Sequence, residues 1–260
     1  MVQFAANLSM LFNEIDFLDR FQAAAEAGFK GVEYLFPYDH PPEAVAERLE
    51  CHGLEQVLFN TPAGDWGAGD RGLACLPDRV DEFREGVATA ISYAQVLGCG
   101  QLHCMAGIAP GDADAGTLLE TYAGNLAFAG AEMDKAGIRC LIEPINTRDI
   151  PGYYLSTSAQ AEQIMSQVDS GNLYLQYDIY HMQIMEGDLA PTIERLLPRI
   201  AHMQLADTPG RHEPGTGEIN YPFLFAHIDR IGYTGWIGCE YKPAGTTRDG
   251  LGWMNTMKVA

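Results

Sequence analysis

Ala136-Gly137-Ile138-Arg139-Cys140-Leu141-Ile142-Glu143 sets a glycine where a helix would end, then an apolar run of strand length, then a carboxylate at the far end of that run. Glycine can take the left-handed conformation that closes a helix C-terminus and turns the chain into the next element. The run that follows is apolar enough to be buried on both faces, as parallel strands are. The same order recurs in Ala-Gly-Phe-Lys-Gly-Val-Glu-Tyr at 27–34, Leu-Gly-Cys-Gly-Gln-Leu-His at 97–103 and Ile-Gly-Tyr-Thr-Gly-Trp-Ile-Gly at 231–238. A repeating helix-to-strand joint predicts alternating βα units.

Working outward, candidate strands fall at Gln3–Ser9, Gly31–Phe36, Glu55–Asn60, Gln101–Met105, Arg139–Ile145, Asn172–Asp178, Ile200–Leu205 and Gly235–Glu240, with longer helix-like stretches between them. Between Asp81 and Gly98, the residues Phe83, Val87, Ala90, Ile91, Ala94 and Leu97 step by threes and fours, which puts them on one helical face. Eight such units in 260 residues match the usual length of one (β/α)8 TIM barrel, so the chain is expected to be a single domain over 1–260.

The formal charge of −19 repels phosphate backbones, so no nucleic-acid partner is expected. No apolar run approaches the roughly 18–20 residues that cross a bilayer, and the N-terminus lacks a signal-peptide pattern. The chain is therefore expected to be cytoplasmic, without a membrane partner, and a homo-oligomer is left open. Cys51, Cys75, Cys99, Cys104, Cys140 and Cys239 form no Cys-x-x-Cys pair and are expected to be reduced, with 104, 140 and 239 in apolar strand-like segments.

Four strand ends finish on side chains that bind hard metal ions: Glu143, Asp178 (Gln-Tyr-Asp-Ile-Tyr-His), Gln204 (His-Met-Gln-Leu-Ala-Asp) and Glu240 (Gly-Cys-Glu-Tyr-Lys-Pro). In a parallel barrel all strand C-termini open on one face, so these four can meet at one point. Three carboxylates and an amide oxygen suit Mg2+ or Mn2+ better than zinc. Such an ion leaves room for the vicinal oxygens of an α-hydroxycarbonyl compound and would stabilise an enediolate, while Glu143 and Glu240 move the proton. An unpaired carboxylate at the end of an apolar run is costly to bury, and a cation is the simplest compensation.

Around this set, His181 and His103 each either bind a substrate oxygen or are core histidines satisfied by a backbone carbonyl. Arg211, in the long loop 207–220, could bring positive charge to the site, and Lys242 could anchor a substrate carboxylate or make a surface ion pair. Trp66 sits in the glycine-rich stretch 60–77, a candidate lid, where it either excludes water or packs the loop. Glu33 is read as supporting the site rather than reacting in it. His40, His52, His202 and His227 are expected to be structural or solvated.

The chain resembles the hydroxypyruvate isomerases of the xylose-isomerase-like TIM-barrel superfamily. The motifs that carry this are Phe-Ala-Ala-Asn-Leu-Ser-Met-Leu-Phe at 4–12, Phe-Pro-Tyr-Asp at 36–39, Pro-Ala-Gly-Asp-Trp at 62–66, Ile-Glu-Pro-Ile-Asn at 142–146, Gln-Tyr-Asp-Ile-Tyr-His-Met-Gln at 176–183, Glu-Pro-Gly-Thr-Gly-Glu-Ile-Asn-Tyr at 213–221 and Gly-Cys-Glu-Tyr-Lys-Pro at 238–243. The resemblance implies interconversion of hydroxypyruvate and tartronate semialdehyde, a small 2-oxo or 2-hydroxy acid as partner, Glu143 and Glu240 as proton donor and acceptor, and Glu143, Asp178, Gln204 and Glu240 around a divalent ion. Gln204 stands where sugar epimerases of the superfamily usually carry histidine, and relatives isomerise 2-oxo-tetronates, one carbon longer. Two other classes compete: a metal-dependent phosphodiesterase of the apurinic-endonuclease type, which the charge opposes, and a non-catalytic sugar-acid binding protein, which would not need two carboxylates on one substrate.

Overall fold

The computed structural model describes residues 2–168 and 170–256. Its strands are β1 (Gln3–Asn7), β2 (Gly31–Glu33), β3 (Glu55–Asn60), β4 (Gln101–His103), β5 (Arg139–Ile142), β6 (Leu173–Asp178), β7 (Ile200–Leu205) and β8 (Trp236–Cys239). They pair in sequence order as a closed parallel barrel, with β8 returning to β1 through Ala5↔Gly238 and Ala6↔Cys239. This is a single (β/α)8 TIM barrel.

The helix-to-strand joints behave as the repeated glycines demand. Gly28, Gly98, Gly137 and Gly232 all have positive φ, at 95°, 66°, 71° and 84°. Gly98 closes the helix Val80–Leu97, whose residues Phe83, Val87, Ala90, Ala94 and Leu97 are buried. With Phe21, Leu126 and Phe225 from other helices, they form the main core between the barrel wall and its helical coat. A separate small cluster includes Ala5, Val57, Leu141 and Ala201, one each from the odd-numbered strands β1, β3, β5 and β7, matching the alternate-strand layers that fill such barrels.

Several strands stop sooner than the apolar runs suggest: β2 ends at Glu33 rather than Phe36, β5 at Ile142 rather than Ile145, and β8 at Cys239 rather than Glu240. Pro144 explains the early end of β5, because proline cannot donate to the ladder and restricts the residue before it. Glu143 and Glu240 therefore stand one residue past their strands, where the backbone turns at the barrel mouth.

The stretch after β3 is built into the molecule more firmly than a free lid. Leu73, Ala74 and Cys75 are buried, Cys75 N–H donates to Ala106 O at 2.8 Å, and Asn125 Nδ2 donates to Ala74 O at 2.9 Å. Gly72, at φ 112°, lies so close to Met105 that a Cβ would strike its carbonyl. The tip around Trp66, which packs edge-on against Phe36 at 5.2 Å, is the exposed part. The cysteines are free, and all but Cys51 are buried. Among the described residues no helix is long and apolar enough to cross a membrane.

Candidate active site

The strand ends surround a cavity of about 320 Å³ lined in part by Glu33, Glu143, His181, Gln204, Arg211 and Glu240. Lys242 and Trp66 also reach its wall, whereas His103 does not.

Glu143, Asp178 and His181 each offer a ligand atom within 4.8 Å of the others, and all three are buried. Asp178 ends β6 and caps the helix Ile179–Met185: its Oδ1 accepts from the N–H groups of Tyr180 at 2.7 Å and His181 at 3.4 Å. Its other oxygen, Oδ2, is buried without a hydrogen-bond partner among the described residues, as is Glu143 Oε1. Two orphaned carboxylate oxygens in one buried cluster are what a hard cation would satisfy.

Burial dominates the acid strengths here. It pushes the Asp178 carboxyl up to about 6 against the opposing pull of Arg211, and the Glu240 carboxyl up to about 8 against the same guanidinium. Glu143 is held well above the usual carboxylate range by burial first, then by the charges of Glu240 and Asp178.

Burial also keeps both site histidines neutral, lowering His103 to about 3 and His181 well below its usual value. Their contacts with carboxylates, His181 Nε2 to Asp178 Oδ2 at 3.6 Å and His103 Nδ1 to Glu143 Oε2 at 3.6 Å, are therefore not ion pairs. Among the described residues neither ring bonds a backbone carbonyl. His181 Nδ1 meets Asn146 Nδ2 at 2.6 Å, and His103 Nδ1 meets Asn60 Oδ1 at 3.1 Å from a position behind Glu143.

Beneath Gln204 lies a polar network. Gln204 Nε2 donates to Glu33 Oε1 at 2.7 Å, and its Oε1 accepts from Gln176 Nε2 at 2.6 Å. Glu33 also accepts from Asn7 Nδ2 at 2.9 Å and contacts His202 Nε2 at 2.6 Å. Because carboxylate oxygens only accept, Glu33 fixes the amide of Gln204 with its nitrogen inward. His202 is thus structural and fully buried, not solvated. Gly238 makes room for this carboxylate, since a Cβ there would collide with it.

Arg211 is strained and committed. At φ 56° it is a non-glycine residue in the left-handed region, held in a loop wound around Asp207, whose carboxylate accepts from the N–H groups of Thr208, Gly215, Gly217 and Ile219. Its guanidinium lies over the Tyr180 ring at 5.0 Å, donates to Asp149 Oδ2 at 3.1 Å and stands 3.5 Å from Glu240 Oε2.

Sequence reasoning assigned no role to Asn7, Asn60, Asn146, Asp149 or Gln176. Gln176 and His202 carried a usable signal: each lies two residues before a named candidate on its strand, and side chains two apart share a face.

With this geometry, known proteins become informative. Residues 21–257 match the xylose isomerase-like TIM-barrel family. The chain belongs to that family. It is 51% identical over 254 residues to a 2-oxo-tetronate isomerase of Cupriavidus necator, spanning 98% of each chain. It is also 51% identical over 255 residues to a hydroxypyruvate isomerase of Escherichia coli, spanning 98% of this chain and 99% of that protein. A solved structure titled AP endonuclease, family 2, from Brucella melitensis superposes with a TM-score of 0.97 at 47% identity, covering 100% of both chains. The family and these relatives make the chain an enzyme, an isomerase built on the xylose isomerase-like barrel.

Proposed function

We propose that this isomerase interconverts hydroxypyruvate and tartronate semialdehyde by proton transfer through an enediolate, with 2-oxo-tetronates as the neighbouring substrate class. The observation that carries the reading is a pair of buried carboxylates, Glu143 and Glu240, on one small cavity and both with raised proton affinity. A carboxylate poised nearer neutrality is a better proton shuttle than an ordinary one.

The orphaned oxygens of Glu143 and Asp178 in one buried cluster fit Mg2+ or Mn2+, and Gln204 and Glu240, which stand on the cavity wall outside that cluster, would complete the set that holds it. When bound, the ion would polarise the substrate carbonyl and offset charge that develops in the enediolate. One of the two glutamates takes the proton from C3 of hydroxypyruvate, and the pair returns it at C2. His181 donates from Nε2 to a substrate oxygen. The nuclease activity named for the Brucella protein is not carried over, because a charge of −19 opposes DNA approach.

The test is turnover by chelator-treated protein in D2O, with each divalent ion added back, across hydroxypyruvate, 2-oxo-tetronates and short neutral ketoses. Deuterium at C2 of tartronate semialdehyde supports proton transfer. Activity confined to neutral ketoses would sink the acid-isomerase reading.

A further inference from the structure

A 2-oxo acid brings a permanent negative charge to a cavity lined by the carboxyl groups of Glu33, Glu143, Asp149 and Glu240. Its carboxylate needs a cation that the protein's own acids have not already taken. Arg211 does not qualify, since Asp149 and Glu240 share its guanidinium. The other cationic side chains on the cavity wall are Arg71 and Lys242.

Arg71 comes from the stretch after β3, at the far side of the ring from the loop after β7 that carries Arg211. Its guanidinium lies 4.0 Å from the centroid of Trp66, and its Nη1 donates to Asp70 O at 2.6 Å and Trp66 O at 3.1 Å. Among the described residues it makes no ion pair. The carboxylate next to it in sequence, Asp70, is bound instead by Arg79 Nη1 at 2.7 Å. Lys242, by contrast, is exposed, and its flexible stem must be ordered whenever it binds.

Resting on the function proposed above, the geometry points to Arg71 as the residue that selects acid substrates, by pairing its planar fork with the substrate's C1 carboxylate. Trp66 positions it. A guanidinium already stacked and held by two carbonyls loses little freedom on binding, and its fork matches a carboxylate in two parallel hydrogen bonds. Neutral ketoses, lacking that group, gain nothing from it.

The experiment measures KM for hydroxypyruvate together with inhibition constants for glycerate, an acid probe, and dihydroxyacetone, a neutral probe of the same length. Arg71→Ala should raise the KM and the glycerate constant by at least about tenfold while the dihydroxyacetone constant stays within about twofold. Arg71→Lys should fall between, and Trp66→Ala should show a smaller loss of the same acid-selective kind. Equal weakening of both probes would mean that the substitutions merely disturb the loop, and would overturn the assignment. So would an acid-selective loss larger in Lys242→Ala than in Arg71→Ala. If the unaltered enzyme does not act on 2-oxo acids at all, the functional reading fails first; if it does and Arg71→Ala binds acids normally, this inference alone fails.

Discussion

Asn146 fixes the tautomer of His181. The Oδ1 atom of Asn146 accepts the Asp149 N–H at 2.7 Å, so its Nδ2 is the atom that faces His181 Nδ1 at 2.6 Å. Nδ1 must then accept, and the proton of the neutral ring sits on Nε2, the nitrogen nearest Glu143 and Asp178. His181 is thereby set to donate a hydrogen bond rather than to bind a metal.

Asn146→Asp reverses this with little change of shape. The new carboxylate can still accept from Asp149 N–H, but it now demands a proton from Nδ1. The expected result is a proton shifted to Nδ1, read from the ring nitrogen chemical shifts, and a loss of at least about tenfold in kcat, or about 1.4 kcal/mol. A proton shifted to Nδ1 with unchanged kcat would remove His181 from its donor role, and an unshifted proton would mean that Asn146 does not set the tautomer.

Metal affinity tests the orphaned oxygens directly. Asp178→Asn keeps the helix cap, since an amide oxygen can still accept from Tyr180 and His181, but removes the charge behind Oδ2. Titration calorimetry of the chelated protein should show Mn2+ binding weakened at least about tenfold, and Gln204→Leu should weaken it as well. Unaltered affinity in both variants would rule out the proposed ion site.

The raised carboxyl groups also give the metal-free protein a pH-dependent stability. Glu240, lifted from 4.5 to about 8, binds its proton more tightly folded than unfolded, and Glu143 is shifted in the same direction. Their stabilisation is complete below about pH 4.5 and is lost as pH rises through the folded values. His103 and His181 act oppositely, but only below about 6.5, where the unfolded imidazoles gain protons. Between about pH 6.5 and 8 the carboxylates act alone, so the melting temperature of chelated protein should fall across that window. Added Mn2+ should flatten the fall, and so should Glu240→Gln. A flat profile in the chelated parent would contradict the burial of these groups.

How much of this was legible in the sequence follows from which features are local. The glycine-to-strand joints are local, so the barrel could be read from residues 27–34, 97–103, 136–143 and 231–238, and the carboxylates mark the ends of apolar runs. What stayed hidden is set by contacts across the ring. Glu33 and Gln204 are 171 residues apart, and Asn146 and His181 are 35 apart, yet each pair is hydrogen-bonded. Nothing local in the sequence singles out Arg71: that it makes no ion pair among the described residues is visible only once Asp70 is seen bound to Arg79.

The proton-transfer step itself is tested by removing each base without changing its outline. Glu143→Gln and Glu240→Gln keep the side-chain shape but cannot accept a proton, so each should slow turnover of hydroxypyruvate by at least ~10²-fold. If the two carboxylates act as one relay, the double variant should be little slower than either single one, since residues working as a unit give non-additive losses. Two independent roles would instead multiply the losses toward ~10⁴-fold. Solvent deuterium should enter at C2 in the parent enzyme. Product that retains its label wholly from substrate C3 would mean a hydride shift, and Glu143 and Glu240 would then not be the acid and base.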